Sequence, residues 1–106
     1  MQSNIKKDKE LFKYTGFKRT DYIKHFKKMK LWKNFIKNEN IDIDHIIPIS
    51  AYNLSNREDI KKCWNPLNLR FLNSYKNRNL KRNKIDMNLI KYYKIEHLLP
   101  EGLNTK

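Results

Sequence analysis

Ile41-Asp42-Ile43-Asp44-His45-Ile46-Ile47-Pro48-Ile49-Ser50 is the stretch on which the fold turns. Its apolar positions are β-branched isoleucines, Asp42 and Asp44 interleave with them, and Pro48 removes a ladder donor, so the pattern predicts a short strand over 41–47. This strand is also where the charge of the chain changes sign. Residues 41–60 hold Asp42, Asp44, Glu58 and Asp59 against Arg57 alone, whereas residues 1–40 hold twelve basic and four acidic side chains, and residues 61–84 hold eight basic and no acidic ones. A polyanion drawn in by the two basic flanks therefore arrives at carboxylates able to share a cation with it.

Past Pro66, Leu67, Leu69, Phe71 and Leu72 read as a second strand, and Asn73 or Ser74 can cap a helix running through Tyr75, Leu80 and the basic cluster. Ser55 and Glu58 stand at capping-box spacing and predict a helix or turn over about 55–63 inside the connecting loop. Strand, loop, strand, helix is thus the central unit. Upstream, Thr20 can cap a helix over about 20–29 with Tyr22, Ile23, Phe26 and Met29 on its apolar side, and Leu31, Trp32, Phe35 and Ile36 continue as a second short helix or a collar on the core. Downstream, a helix from about Asp86 to Ile95 is expected to bury Met87, Ile90 and either Tyr93 or the stem of Lys94, before Pro100 and Gly102 end the segment.

The composition removes several classes of function. The chain has 106 residues, 39% of them hydrophobic, which suits one α+β domain with one modest core: a basic helical lead-in (1–40), the central unit (41–84) and a C-terminal helix and tail (85–106). Cys63 is the only cysteine, so there is no internal disulfide and no four-cysteine zinc site within one chain. Gly16 and Gly102 are the only glycines, too few for a P-loop or a dinucleotide fingerprint. No apolar run reaches the roughly 20 residues of a membrane span, and Met1 to Lys13 has no apolar signal core, so an intracellular, non-secreted protein is expected. The net charge of +13, with aromatic and basic residues interleaved as in residues 22–28, points to nucleic acid rather than to a membrane surface. His25 and His97 read as packed or surface residues, Cys63 as a small core residue, and Trp32 and Trp64 as core anchors.

Asp44-His45 ahead of Ile46-Ile47-Pro48, Asn68 opening the second strand and Asn77 nine residues later closely resemble the HNH endonucleases, the ββα-metal or His-Me finger nucleases; the lead-in looks similar to that of small free-standing HNH proteins of phages and large DNA viruses. The motif region covers about 40 residues. Fourteen asparagines make chance Asn spacings cheap in this chain and an Asp-His pair alone is common, so the resemblance rests on the agreement of the pair, Pro48, both asparagines, the basic helix and the strand-strand-helix order.

The resemblance implies a ββα-metal finger with flanking helices that hydrolyses phosphodiester bonds of DNA, double-stranded by preference, nicking one strand per site and leaving a 5′-phosphate. His45 is then the general base, since an imidazole with an ordinary pKa of about 6.5 is mostly neutral at pH 7. Asp44 and the amide oxygen of Asn77 are the implied ligands of one divalent metal, Mg²⁺ first and Mn²⁺ as a substitute. Asn68 ties the loop to the strand and orients His45. Arg70, Lys76, Arg78, Lys81, Arg82 and Lys84 are expected to neutralise phosphates. Many such proteins carry cysteine pairs for a structural zinc; the matching positions here are Asn73 and Lys76, so no structural zinc is expected. Asn79 is a rival to Asn77, set aside because it falls about 200 degrees further round a helix. Because neighbouring strand residues point to opposite faces, Asp44 and His45 can serve one site only if the strand ends, bends or bulges there. No small-molecule cofactor is expected, and the chain is expected to act as a monomer or transient dimer. The alternative is a non-catalytic nucleic-acid-binding protein on an HNH-derived scaffold.

Overall fold

The computed structural model describes residues 2–37, 39–78 and 84–104. Helix α1 (Gln2–Thr15), α2 (Arg19–Phe26) and α3 (Trp32–Ile36) precede strand β1 (Ile41–His45); α4 (Arg57–Cys63) lies in the connection to β2 (Leu69–Asn73), which runs directly into α5 (Ser74–Arg78); α6 (Met87–Tyr92) and α7 (Glu101–Asn104) close the chain. The result is an α+β fold around a two-stranded antiparallel sheet. Such a hairpin is marginal by itself and is held by what packs on it.

Two clusters do that. Phe71 on β2 stacks on Phe35 (4.6 Å) and lies 4.8 Å from Phe26, which fastens α2 and α3 to the sheet with Tyr22 and Leu69. The second cluster joins Ile46 and Ile47, just past β1, to Tyr52, Cys63 and the C-terminal Ile90, Ile95, Leu98 and Leu99. The Tyr22 hydroxyl donates to the Trp64 carbonyl (2.6 Å), so the clusters meet beside the sheet. Arg57 ties α4 to the Lys13 carbonyl at the end of α1. Gly16 ends α1 at φ +83, its N–H on the Phe12 carbonyl, a left-handed cap that a side chain would strain.

Several caps differ from the sequence expectation. α2 starts one residue ahead of Thr20: its N-cap is Lys18, and Asp21 in the first turn reaches back to accept the Lys18 N–H at 2.8 Å, a carboxylate at the positive end of the helix. Asn56, not Ser55, caps α4, accepting from the Glu58 and Asp59 N–H groups. Leu67 belongs to a 3₁₀ turn (Pro66–Asn68) and is 49% exposed, so β2 begins only at Leu69. α6 is capped by Asp86 and buries Ile90, but it stops at Tyr92, leaving Met87 (40% exposed), Tyr93 and Lys94 outside the core. Pro100 does not end the C-terminal segment; it precedes α7. His97 is exposed rather than packed. No helix among the described residues is long and apolar enough to cross a membrane.

Candidate active site

β1 and β2 pair in regular register from Ile41↔Asn73 to His45↔Leu69, without a bulge. Alternation therefore puts Asp42 and Asp44 on one face, opposite Leu72 and Arg70. Asp42 accepts from the Ser74 hydroxyl (2.8 Å) and from Nδ2 of Asn77 (3.0 Å), which fastens α5 across β1 and orients the Asn77 amide with its nitrogen toward Asp42. Asn73, as expected, accepts the Tyr75 N–H and starts that helix.

Asp44 accepts from Nε of Arg70 at 3.0 Å, with both side chains mostly buried (13% and 15% exposed). The guanidinium carbon of Arg70 stands 6.0 Å from the centre of the Tyr93 ring. Arg70 is thus turned inward to a carboxylate.

His45 is the last residue of β1, and its ring meets Trp64 edge to face at 4.7 Å. Its Nε2 and the Trp64 Nε1 are both buried with no hydrogen-bond partner among the described residues. Buried polar atoms in native folds are nearly always satisfied, so two orphans in touching rings mark a place that protein contacts leave incomplete. Burial pushes the His45 pKa down, and Asp44 opposes this to a lesser degree. The imidazole is neutral at pH 7.

Asn68 is the opposite case. With no exposed surface, it accepts the Ile47 N–H (2.8 Å) and donates to the Ile47 and Cys63 carbonyls (3.1 and 3.0 Å), while its own carbonyl takes the Ile46 N–H (2.8 Å). It clamps the chain immediately after His45 and touches nothing outside the protein. Asn68 thus fixes the backbone that immediately follows His45.

A cleft of about 400 Å³ brings Asp44, His45 and Asn77 together, with Ile43, Pro48, Ile49 and Ser50 as its other walls. Consecutive strand residues point to opposite faces, so a cleft lined by 43, 44 and 45 wraps round the open edge of β1 where the strand ends. Strand termination, not a bulge, lets Asp44 and His45 share it. Among the described residues no group of three or more His, Cys, Asp or Glu side chains is placed to hold a metal ion. The cleft instead offers one carboxylate and one amide, a hard and sparse donor set that suits a cation keeping most of its waters.

Lys76 and Lys84 are exposed and outside the cleft, and Arg78 ends α5. Asn79, Leu80, Lys81 and Arg82 lie outside the described residues. His25 donates to the Leu69 carbonyl (3.0 Å), a packing role, and Cys63 is a buried thiol pushed up to about 11 by burial. Sequence reasoning overlooked Asp42 as the residue that holds the Asn77 amide, Ser74 as the donor to Asp42, and Trp64 as the partner of His45. Alternation alone places Asp42 beside Asp44; nothing in the sequence signals the other two.

Compared with known proteins, the chain matches no family model, no curated protein and no solved structure.

Proposed function

We propose that the chain is a divalent-metal-dependent endonuclease of the HNH, ββα-metal type that nicks DNA. The observation that carries this reading is the meeting of Asp44, His45 and Asn77, residues of two separate elements, in one cleft at the end of β1. Their residue types suit hydrolysis of a phosphodiester. Neutral His45 takes a proton from the attacking water, the task for which its lowered pKa keeps it ready. Asp44 and Asn77 would hold Mg²⁺, which supplies Lewis-acid stabilisation of the phosphoryl and departing oxygens. Asp42 keeps the Asn77 amide in its orientation, and Asn68 keeps His45 at the strand end. Lys76 and Lys84, both exposed, are suited to neutralising neighbouring phosphates, which positions the strand and reads no sequence.

Conversion of supercoiled plasmid to open circle tests the reading. Nicking is expected with Mg²⁺ or Mn²⁺, none with chelator, and a fall on the order of 10²-fold or more in His45→Ala, the scale of losing a general base. Equal nicking by His45→Ala and parent would sink it. A second reading, a non-catalytic nucleic-acid-binding protein on the same scaffold, is favoured by two features: the His45 Nε2 is closed to solvent and Arg70 already occupies Asp44. DNA binding by folded protein without any metal-dependent nicking is its signature.

A further inference from the structure

We infer that the turn Lys91-Tyr92-Tyr93-Lys94, at the end of α6, is a docking surface for a single-stranded segment of nucleic acid, with an unpaired base stacked on Tyr92. Tyr92 is 77% exposed. Its ring meets that of Tyr93 at 5.1 Å and 86°, an edge-to-face pair in which Tyr93 can cover at most one face of Tyr92. Both lysines beside them are exposed and neither is ion-paired among the described residues, although Glu96 follows closely. Exposed aromatic faces flanked by free cations are the combination that holds a single strand, since every base has a face to stack and every phosphate a charge to neutralise. In a paired duplex the base faces are already covered.

The turn is rigid as well as exposed. Lys94 N–H bonds the Lys91 carbonyl and Ile95 N–H the Ile90 carbonyl, both at 3.1 Å, with Lys94 at φ +57, and Ile90 and Ile95 are buried in the core. A platform fixed in this way loses little entropy when a base lands on it. Its position links it to the cleft: Tyr93 faces Arg70, and Arg70 holds Asp44. A strand whose phosphate meets a cation held at Asp44 would have the tyrosines within reach on the far side of Arg70. The inference deepens the nuclease reading, on which it rests for where the cut strand lies, and it names the substrate as nucleic acid with unpaired bases next to the scissile bond.

The test is fluorescence anisotropy in chelator, with a labelled thymidine oligomer and a fully paired duplex of equal length, on the parent, Tyr92→Ala and Tyr92→Trp. Stacking of one base is worth about 1–3 kcal/mol, so Tyr92→Ala is expected to weaken single-strand binding on the order of 10-fold, with duplex binding changed by less than about 2-fold and Tyr92→Trp binding the oligomer as well as the parent. Circular dichroism of each variant checks that it is folded. Equal losses on both ligands, no loss on either, or no binding of the oligomer by the parent overturns the inference. Plasmid nicking is scored separately: if it persists while Tyr92→Ala is indifferent, the platform is wrong and the nuclease stands; if it is absent while Tyr92→Ala loses the oligomer, the converse holds.

Discussion

The two sides of His45 are built on opposite terms. On the chain side, every polar group of the Asn68 side chain is satisfied in a solvent-free junction. On the other side, the nitrogen Nε2 of His45 is buried against Trp64 with no partner among the described residues, and the Asp44 carboxylate leans on an arginine. One side has its polar groups satisfied and the other keeps a buried nitrogen that is not. Stability and activity should therefore separate when each side is altered.

The largest effect is expected at the junction. Asn68→Ala strands the Ile47 N–H and the Ile47 and Cys63 carbonyls in a buried site, each costing about 1–3 kcal/mol, so a total loss of about 3 kcal/mol or more is expected by urea unfolding. His45→Ala removes a ring that already has an unpartnered nitrogen and should cost about 1 kcal/mol while abolishing nicking. If the two variants lose equal stability, the contrast fails.

Arg70→Gln comes next. It leaves Asp44 largely buried without its cation, and a loss of about 1–3 kcal/mol is expected in chelator. Millimolar Mg²⁺ should return part of that loss by taking the place of the guanidinium at Asp44, and should do so less in the parent, where Arg70 competes. Thermal melts with and without Mg²⁺ check this; a metal effect of equal size in both proteins would separate Asp44 from the metal.

The same contrast has a pH signature. At the junction, burial pushes Cys63 up to about 11 and raises Tyr52 above its ordinary value, so the unfolded chain releases these protons first and stability falls as pH rises past about 9. At the cleft, burial lowers His45, so the unfolded chain binds a proton more readily and stability falls as pH drops below about 6.5 toward the folded value. Cys63→Ala should lessen the alkaline loss and His45→Gln the acid loss. Chevron or urea midpoints across pH 5–11 give the result, with the opposite assignment of the two limbs as the outcome that breaks it.

How much of this was legible in the sequence follows from the range of the forces involved. Asp44, His45, Asn68 and Asn77 were singled out by their resemblance to the HNH pattern, in which the Asp-His pair and two asparagines nine apart stand together. The strand pair and α5 were legible from β-branched runs and the Asn73 cap. The Asp44–Arg70 pair was not, because register across a connection of more than twenty residues is set by packing of α4 and the isoleucines, and Arg70 read as a phosphate contact for want of that register. The end of α6 was misjudged for a related reason: apolar spacing continues to Tyr93 and Ile95, but a left-handed turn at Lys94 redirects the chain so that Ile95 enters the core and Tyr93 does not.

That turn gives the smallest effect and the finest probe of the comparison. Among the described residues two other than glycine have positive φ, Asn40 (+58) before β1 and Lys94 (+57) after α6. Asparagine tolerates the left-handed region through local hydrogen bonding, and Asn40 also offers its carbonyl to the Ser74 N–H, so Asn40→Gly should change stability little. Lysine has no such compensation and carries a steric cost of about 1–2 kcal/mol, partly offset in the variant by the greater chain entropy of glycine in the unfolded state. Lys94→Gly is therefore expected to gain about 0.5 kcal/mol, or roughly 2–4 °C in melting temperature. The same variant should weaken single-strand binding slightly and lower its salt slope by about one unit, because it removes a phosphate contact. A more stable protein that binds less well would place the strain, like the unpartnered imidazole, on the side of the molecule that faces its ligand; a Lys94→Gly variant with unchanged binding would leave that strain a feature of the turn alone.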